Sequence, residues 1–260
     1  RSIWVTGVQT CALPIYQLAG EDRLAEYRVR SYEGGLDFGR ELSNWGEMRV
    51  GLRRGSGHSH VLIGDPSLPR DEFNRGGLFA RFSYDKLDSI FFPRRGQQFE
   101  FEWRGERENF GADQDFDSFA MNWLVARSFD RHTLIFWVEG GTTVDAIDSP
   151  ENFFNLGGFF NLSGLAPGSV SGPHYGIGRL IYYRKIGRGG SGVLDLPAYA
   201  GFSLEAGNAW MDRDAISTGD LHKDASLFFG VDTPLGPVYL ATGFDEGGDK
   251  AFYLFLGRTF

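Results

Sequence analysis

Three sets of side chains in this 260-residue chain have types and spacings that could do chemistry. His58 and His60 are two apart, so on one strand both imidazoles would point the same way, as two ligands of a metal site do. No Cys or carboxylate stands at ligand spacing beside them, and the polar stretch around them reads as a solvated outer link. Asp113, Asp115 and Asp117 open like a calcium loop, but Ser118 takes the place of the sharp-turn glycine and Leu124 that of the bidentate glutamate. These three read as an acidic rim. Gly55-Ser56-Gly57 and Gly190-Ser191-Gly192 lack the Gly-x-Ser-x-Gly spacing of a nucleophile elbow. His58, His60, His132, His174 and His222 are spread over different links, too dispersed for a nucleophile and base to meet. The expectation is a chain with no catalytic site, no metal and no cofactor.

Ionisable residues do recur, but with the parity of strands. In Phe99-Glu100-Phe101-Glu102-Trp103-Arg104 the rings face one side and the charges the other, an alternation that a helix would scatter around its circumference. The same rule sets Leu78, Ala80, Phe82 and Tyr84 against Arg81, Ser83 and Asp85. It sets Phe119, Met121, Trp123 and Val125 against Ser118 and Asn122, and Ala198, Ala200, Phe202 and Leu204 against Tyr199, Ser203 and Glu205. About eleven strands follow, near 25–39, 46–56, 75–86, 97–107, 116–128, 132–143, 174–186, 195–207, 224–232, 236–244 and 251–260. The stretch from Tyr175 to Tyr183 does not alternate, because Arg179 shares a parity with Ile177 and Ile181; its Tyr and Ile content alone marks it as a strand. Each strand is close to the ~9–11 residues that cross a bilayer at a tilt.

Links near 232–237, 186–195, 128–132, 87–96 and 40–45 read as compact, and those near 208–223, 144–173, 107–115 and 57–74 as longer and polar. Short turns on one side and long loops on the other are the habit of a bacterial outer-membrane barrel, and a soluble sandwich has no reason for them. The terminal strand Ala251-Phe252-Tyr253-Leu254-Phe255-Leu256-Gly257-Arg258-Thr259-Phe260 is apolar and aromatic, a hazard at an open sheet edge in water. Composition agrees: 37 Gly and 15% aromatic residues accompany only 42% hydrophobic residues. The mean hydropathy of −0.26 is what results when only every second residue meets lipid. No apolar run approaches the ~20 residues of a transmembrane helix. The net charge of −8 argues against a nucleic-acid partner.

Val5-Thr6-Gly7-Val8-Gln9-Thr10-Cys11-Ala12-Leu13-Pro14-Ile15 is the peptide that a common sequencing adapter gives in one reading frame. Residues 1–16 are therefore set aside as an assembly scar, since no apolar core follows Arg1 to make a signal peptide. Without them the chain has no Cys, its net charge becomes −9, and 17–260 reads as one domain that begins mid-protein.

Several segments, in order, resemble the C-terminal barrel of the bacterial surface antigen superfamily, which includes BamA, TamA and the two-partner secretion transporters. Leu156-Gly157-Gly158 with Leu162-Ser163-Gly164-Leu165 is similar to the family's loop that folds back into the lumen. Leu204-Glu205-Ala206-Gly207-Asn208-Ala209-Trp210 is similar to its acidic-x-Gly-Asn-x-Trp strand end, and Gly230-Val231-Asp232-Thr233-Pro234-Leu235-Gly236-Pro237 to a periplasmic hairpin. Asp88 with Pro93-Arg94-Arg95-Gly96 matches another hairpin, and Gly257-Arg258-Thr259-Phe260 resembles the closing signal for the outer-membrane assembly machinery, carried by Gly257 and Phe260. Gly46-Glu47-Met48-Arg49-Val50-Gly51, Phe92-Pro93-Arg94-Arg95-Gly96 and Gly158-Phe159-Phe160-Asn161-Leu162-Ser163-Gly164 look most like the barrel of PlpD-like patatin phospholipases. Ser163-Gly164 stands where the BamA pattern has Arg-Gly, which removes the usual ion pair to a wall acid.

The resemblance implies an all-β, antiparallel transmembrane β-barrel, truncated to about eleven of sixteen strands, in the outer membrane of a Gram-negative cell. It implies that Glu139, Arg179 and Glu205 on the wall hold the inward loop. The function it implies is anchoring, with a share in translocation, of an upstream patatin-like phospholipase domain in cis; the alternative is the barrel of a BamA- or TamA-type assembly or secretion factor. Partners are then outer-membrane lipid, the assembly machinery and the passenger. An enzyme with its own site on the barrel wall and a soluble β-sandwich are the competing classes.

Overall fold

In a computed structural model of the chain, the described residues are all but 1, 20–21, 64–71, 146–151, 188–195, 258 and 260, with side chains described from residue 30 onward and not over 59–63. The strands are β1 (Ser2–Ala19), β2 (Asp22–Leu42), β3 (Gly46–Ile63), β4 (Glu72–Asp85), β5 (Gly96–Glu106), β6 (Phe116–Phe129) and β7 (His132–Val144). They continue as β8 (Phe154–Leu156), β9 (Val170–Gly172), β10 (His174–Lys185), β11 (Ala198–Trp210), β12 (His222–Thr233), β13 (Gly236–Phe244) and β14 (Lys250–Leu256). Twelve of them form one antiparallel sheet in chain order, β1 to β7 and then β10 to β14, while β8 and β9 pair only with each other. Sequential antiparallel neighbours joined by short links make an up-and-down meander. The hydrogen-bonded order ends at β1 and β14, so these are the two edges. No helix among the described residues is long and apolar enough to cross a membrane, which says nothing about crossing by strands.

All eleven expected strands are present. The twelfth, β1, covers the segment set aside as a scar: Ser2 lies opposite Gly39 and Ala19 opposite Asp22. The ladder needs only main-chain donors and acceptors, so the edge of β2 can take any extended chain beside it. The strand β3 runs on to Ile63, which puts His58 and His60 on a strand rather than in a link, His58 facing Arg30 and Glu72. The last strand ends at Leu256, where Gly257 turns at φ +136, although the Gly257 amide still donates to the Pro237 carbonyl at 3.0 Å in register with the β13–β14 ladder. Link length also separates the two ends less cleanly than expected. The link 86–95, on the compact side, has ten residues, and 245–249, on the other side, has five.

Parity sorts the side chains onto two faces. The outer face carries large apolar residues in rows that cross the ladder, such as Phe136, Leu180 and Leu204 or Phe229, Leu240 and Leu254. Leu227 is 56% exposed, Leu240 63% and Leu254 81%. Such continuous apolar exposure is far beyond the scattered exposed Leu of a soluble monomer. Among the described residues no sheet covers it: the only other sheet, β8–β9, lies over the inner face, and Phe202 is 38% exposed rather than packed between layers. The inner face is polar towards β2–β5 and apolar towards the turn-side ends of β10–β13. The apolar part explains why β10 does not alternate. Ile177, Ile181 and Tyr183 point inward and are buried, so there inward no longer means wet.

Candidate functional site: the inward loop and its seat

The long link between β7 and β10 folds back over the inner face. Its short β8–β9 hairpin sits at the mouth, Leu156 opposite Val170, and 157–165 form a compact tip. Gly157 donates to the Asn161 carbonyl at 2.6 Å, Gly158 to that of Leu165 at 3.0 Å, and Leu165 to that of Leu162 at 3.1 Å. Phe160 (φ 59) and Leu162 (φ 69) hold left-handed backbone, uncommon for bulky side chains and maintained only where the surroundings fix it.

Glu205 on β11 does that fixing. Its Oε2 accepts from the amides of Leu162 at 2.7 Å and Ser163 at 2.8 Å, while its Oε1 accepts from the Ser163 hydroxyl at 2.6 Å and the Ser203 hydroxyl at 2.5 Å. The carboxylate is 3% exposed, yet all its bonds come from neutral donors, which lets an acid stay buried without a cation. On β12, Asp224 Oδ2 accepts from the Gly164 amide at 2.6 Å, and Ser226 joins Ser203 at 2.6 Å. From β14 the Tyr253 hydroxyl donates to the carbonyl of Ser163 at 2.8 Å. The fit is tight enough that a β-carbon on Gly243 of β13 would collide with that same carbonyl. Only glycine admits so close an approach.

The second hold comes from β7 and β10. Arg179 donates to Asn161 Oδ1 at 3.0 Å and Glu139 Oε2 at 3.2 Å, and its guanidinium lies 4.1 Å over the Trp137 ring. Glu139, Arg179 and Glu205 thus sit as follows: Glu205 touches the loop directly, Arg179 touches it through Asn161, and Glu139 reaches it through Arg179. Leu156 and Leu162 are buried against Ile177. Asp224, Ser203, Ser226 and Tyr253 belong to the seat and were not singled out in sequence. Parity could have found Asp224 and Ser226, since both face the same way as Glu205 on the next strand. Gly257 lies at the end of β14, and Phe260 falls outside the described residues.

The remaining charges line a wet chamber. Glu102 is the hub: Arg81 Nε donates to it at 2.6 Å, Arg53 at 3.4 Å, and Arg104 bonds it as well. Arg49 bridges Asp37 and Glu47, both at 2.6 Å. Arg81, Glu100, Glu102 and Arg104 form one wall of a cavity of about 490 Å³ that reaches Glu139 and Tyr175. Asp113, Asp115 and Asp117 do not gather: they accept from the Asn74 amide, the Glu108 amide, and the Trp103 and Arg107 side chains respectively. No group of three or more His, Cys, Asp or Glu among the described residues could hold a metal. His132 bonds the Tyr182 hydroxyl at 2.5 Å and His174 the Thr142 hydroxyl at 2.7 Å, far apart on the strands.

No protein-family model and no curated protein matches the chain. Among solved structures, BamA from Haemophilus ducreyi lacking POTRA domains 1–3 matches with a TM-score of 0.73 at 12% identity, over 95% of this chain and 57% of that one. The chain has the fold of BamA. It spans a little over half the length of that BamA chain.

Proposed function

We propose that this chain is the barrel region of a Gram-negative outer-membrane protein that anchors an upstream domain and takes part in its translocation. The observation that carries the reading is the outer face, with large apolar side chains exposed across neighbouring strands, while on the inner face Arg49, Arg53, Arg81, Arg104 and Arg179 are ion-paired with acids. In hydrocarbon such a sheet buries its greasy face in lipid and satisfies its backbone within the ladder. The upstream domain suggested by the PlpD-like segments is a patatin-type phospholipase, so the chemistry lies off this chain. Insertion then depends on the outer-membrane assembly machinery, as for barrels of this fold.

The BamA fold favours a second reading, the barrel of an assembly or secretion factor. Ser163 weighs against it: where that branch has an arginine to pair with a wall acid, this chain gives Glu205 a hydroxyl and two amides. Sequencing the locus upstream tests the choice. A Gly-x-Ser-x-Gly elbow with a partner Asp followed by one POTRA module supports the anchoring role; a series of POTRA modules and no elbow contradicts it.

A further inference from the structure

The link 86–95 is the most unusual segment outside the site just described. It joins β4 to β5 at the compact side, where a turn would be expected to sit in water, yet Phe92 is 2% exposed. Its ring stacks on Tyr199 at 4.1 Å and packs on Tyr239 at 5.2 Å and Tyr183 at 6.0 Å, so it crosses from β4–β5 to β10, β11 and β13. Two hydroxyls clasp the backbone beside it: Tyr239 donates to the Phe91 carbonyl at 3.2 Å, and Tyr183 donates to that of Pro93. Asp88 ties the turn's own ends by accepting from the amides of Arg94 at 2.8 Å and Arg95 at 3.0 Å. Gly230 supplies the space, since a β-carbon there would lie 2.7 Å from the Phe92 ring.

The inward loop arrives at the same place from the opposite end of the strands. Phe160 packs on Phe228 at 5.2 Å, and Phe159 on Tyr239 at 5.5 Å and Tyr253 at 5.6 Å. Tyr239 is three residues from the start of β13 at Gly236, about 10 Å from the turn-side end at the usual strand rise. Phe92, Phe160, Phe228 and Tyr239 therefore belong to one apolar cluster.

We propose that the 86–95 link is the latch of the inward loop: the two segments share one aromatic seat at Tyr239, which Phe92 meets from one side and Phe159 from the other while Phe228 backs it at 6.2 Å, close the turn-side end of this part of the barrel together, and loosen together. A domain on the turn side that displaced Phe92 would then release the loop without touching it. Close-packed interiors move between discrete arrangements rather than deforming smoothly, which is what makes a shared seat a coupling device. The idea rests on packing inside the sheet and does not depend on which domain lies upstream.

Amide hydrogen exchange on the full chain in detergent micelles tests it. Phe92→Ala is expected to speed exchange at 157–165 at least tenfold while the amides of β10–β12 keep their rates. Tyr183→Phe removes the clasp on Pro93 and the hydroxyl's bond with Thr133 but leaves the rings in place, so it remains foldable; a smaller rise in the same loop amides is expected. Coupling is reciprocal, so freeing the loop with Glu205→Ala must speed exchange at Asp88, Arg94 and Arg95. If Tyr183→Phe loosens 86–95 and the loop amides stay within twofold of the parent, or if Glu205→Ala frees the loop and leaves 86–95 unchanged, the two segments are independent and the proposal is wrong. A uniform rise across β10–β12 would be global unfolding and would equally contradict a latch.

Discussion

Replacing Glu205 by Ala is the sharpest perturbation of the inward loop. The carboxylate accepts four hydrogen bonds, from Leu162 N, Ser163 N, Ser163 Oγ and Ser203 Oγ. The two hydroxyls can find other acceptors, Ser203 already having Ser226 at 2.6 Å. The two amides cannot, because they sit in a tip whose backbone is fixed by Phe160 and Leu162. Leaving a buried donor unsatisfied costs about 1–3 kcal/mol, and bonds to a charged acceptor lie at the upper end. Two orphaned amides thus cost the docked loop about 3–5 kcal/mol. At 1.4 kcal/mol per tenfold, the population of undocked loop rises about two to three and a half orders of magnitude. Exchange protection at Leu162, Ser163 and Gly164 should fall by that factor, with β11 and β12 unaffected. Glu205→Gln keeps one carbonyl oxygen for the amides, and its NH2 can donate to the serine hydroxyls, so a loss of about 1–2 kcal/mol is expected. Protection in the Ala variant within fivefold of the parent would refute the assignment of Glu205 as the loop's anchor.

Gly243→Val places branched bulk against the Ser163 carbonyl and should expel the tip, which limited proteolysis would report as new cleavage within 157–169. Arg179→Leu strands Glu139 and frees Asn161; a loss of about 1–3 kcal/mol in loop docking is expected by exchange, and Arg179→Lys recovers only part because a point charge cannot both stack on Trp137 and reach Asn161 and Glu139. Leu227→Arg, midway along β12 on the outer face, should cost about 2–4 kcal/mol in urea titrations of the bilayer-inserted protein. The same exposed substitution on a water-facing sheet would stay within about 0.5 kcal/mol.

Strand identity was legible wherever a strand has one greasy and one wet face, as in Phe99 to Arg104, because each residue pair carries its own evidence. Legibility failed where the inner face is itself buried. Arg179 shares a parity with Ile177 and Ile181 because the link just before β10 folds back over Ile177 and Arg179, and Ile181 joins the cluster of Phe92 and Phe160; the alternation within β10 itself announces neither cover. Glu205 could be picked out by resemblance, whereas Tyr253 could not: its hydroxyl meets Ser163 from a strand 90 residues on. Pro93 and Gly96 correctly indicate a turn but are silent on where its rings go. The one local hint was Phe91-Phe92 itself, an apolar pair in a segment read as a compact hairpin. His58 and His60 were misplaced for the opposite reason, since β3 continues past the membrane-length limit into a stretch whose polar residues look like a loop.

Quenching by brominated lipid addresses the two-faced sheet most directly. Trp123 lies on the outer face at 40% exposure and Trp137 on the inner face at 7%, so two single-tryptophan variants of the chain, reconstituted in bilayers, report one face each. Strong quenching of Trp123 and almost none of Trp137 is the expected result. Equal quenching of both, or of neither, would mean that the apolar face does not meet hydrocarbon.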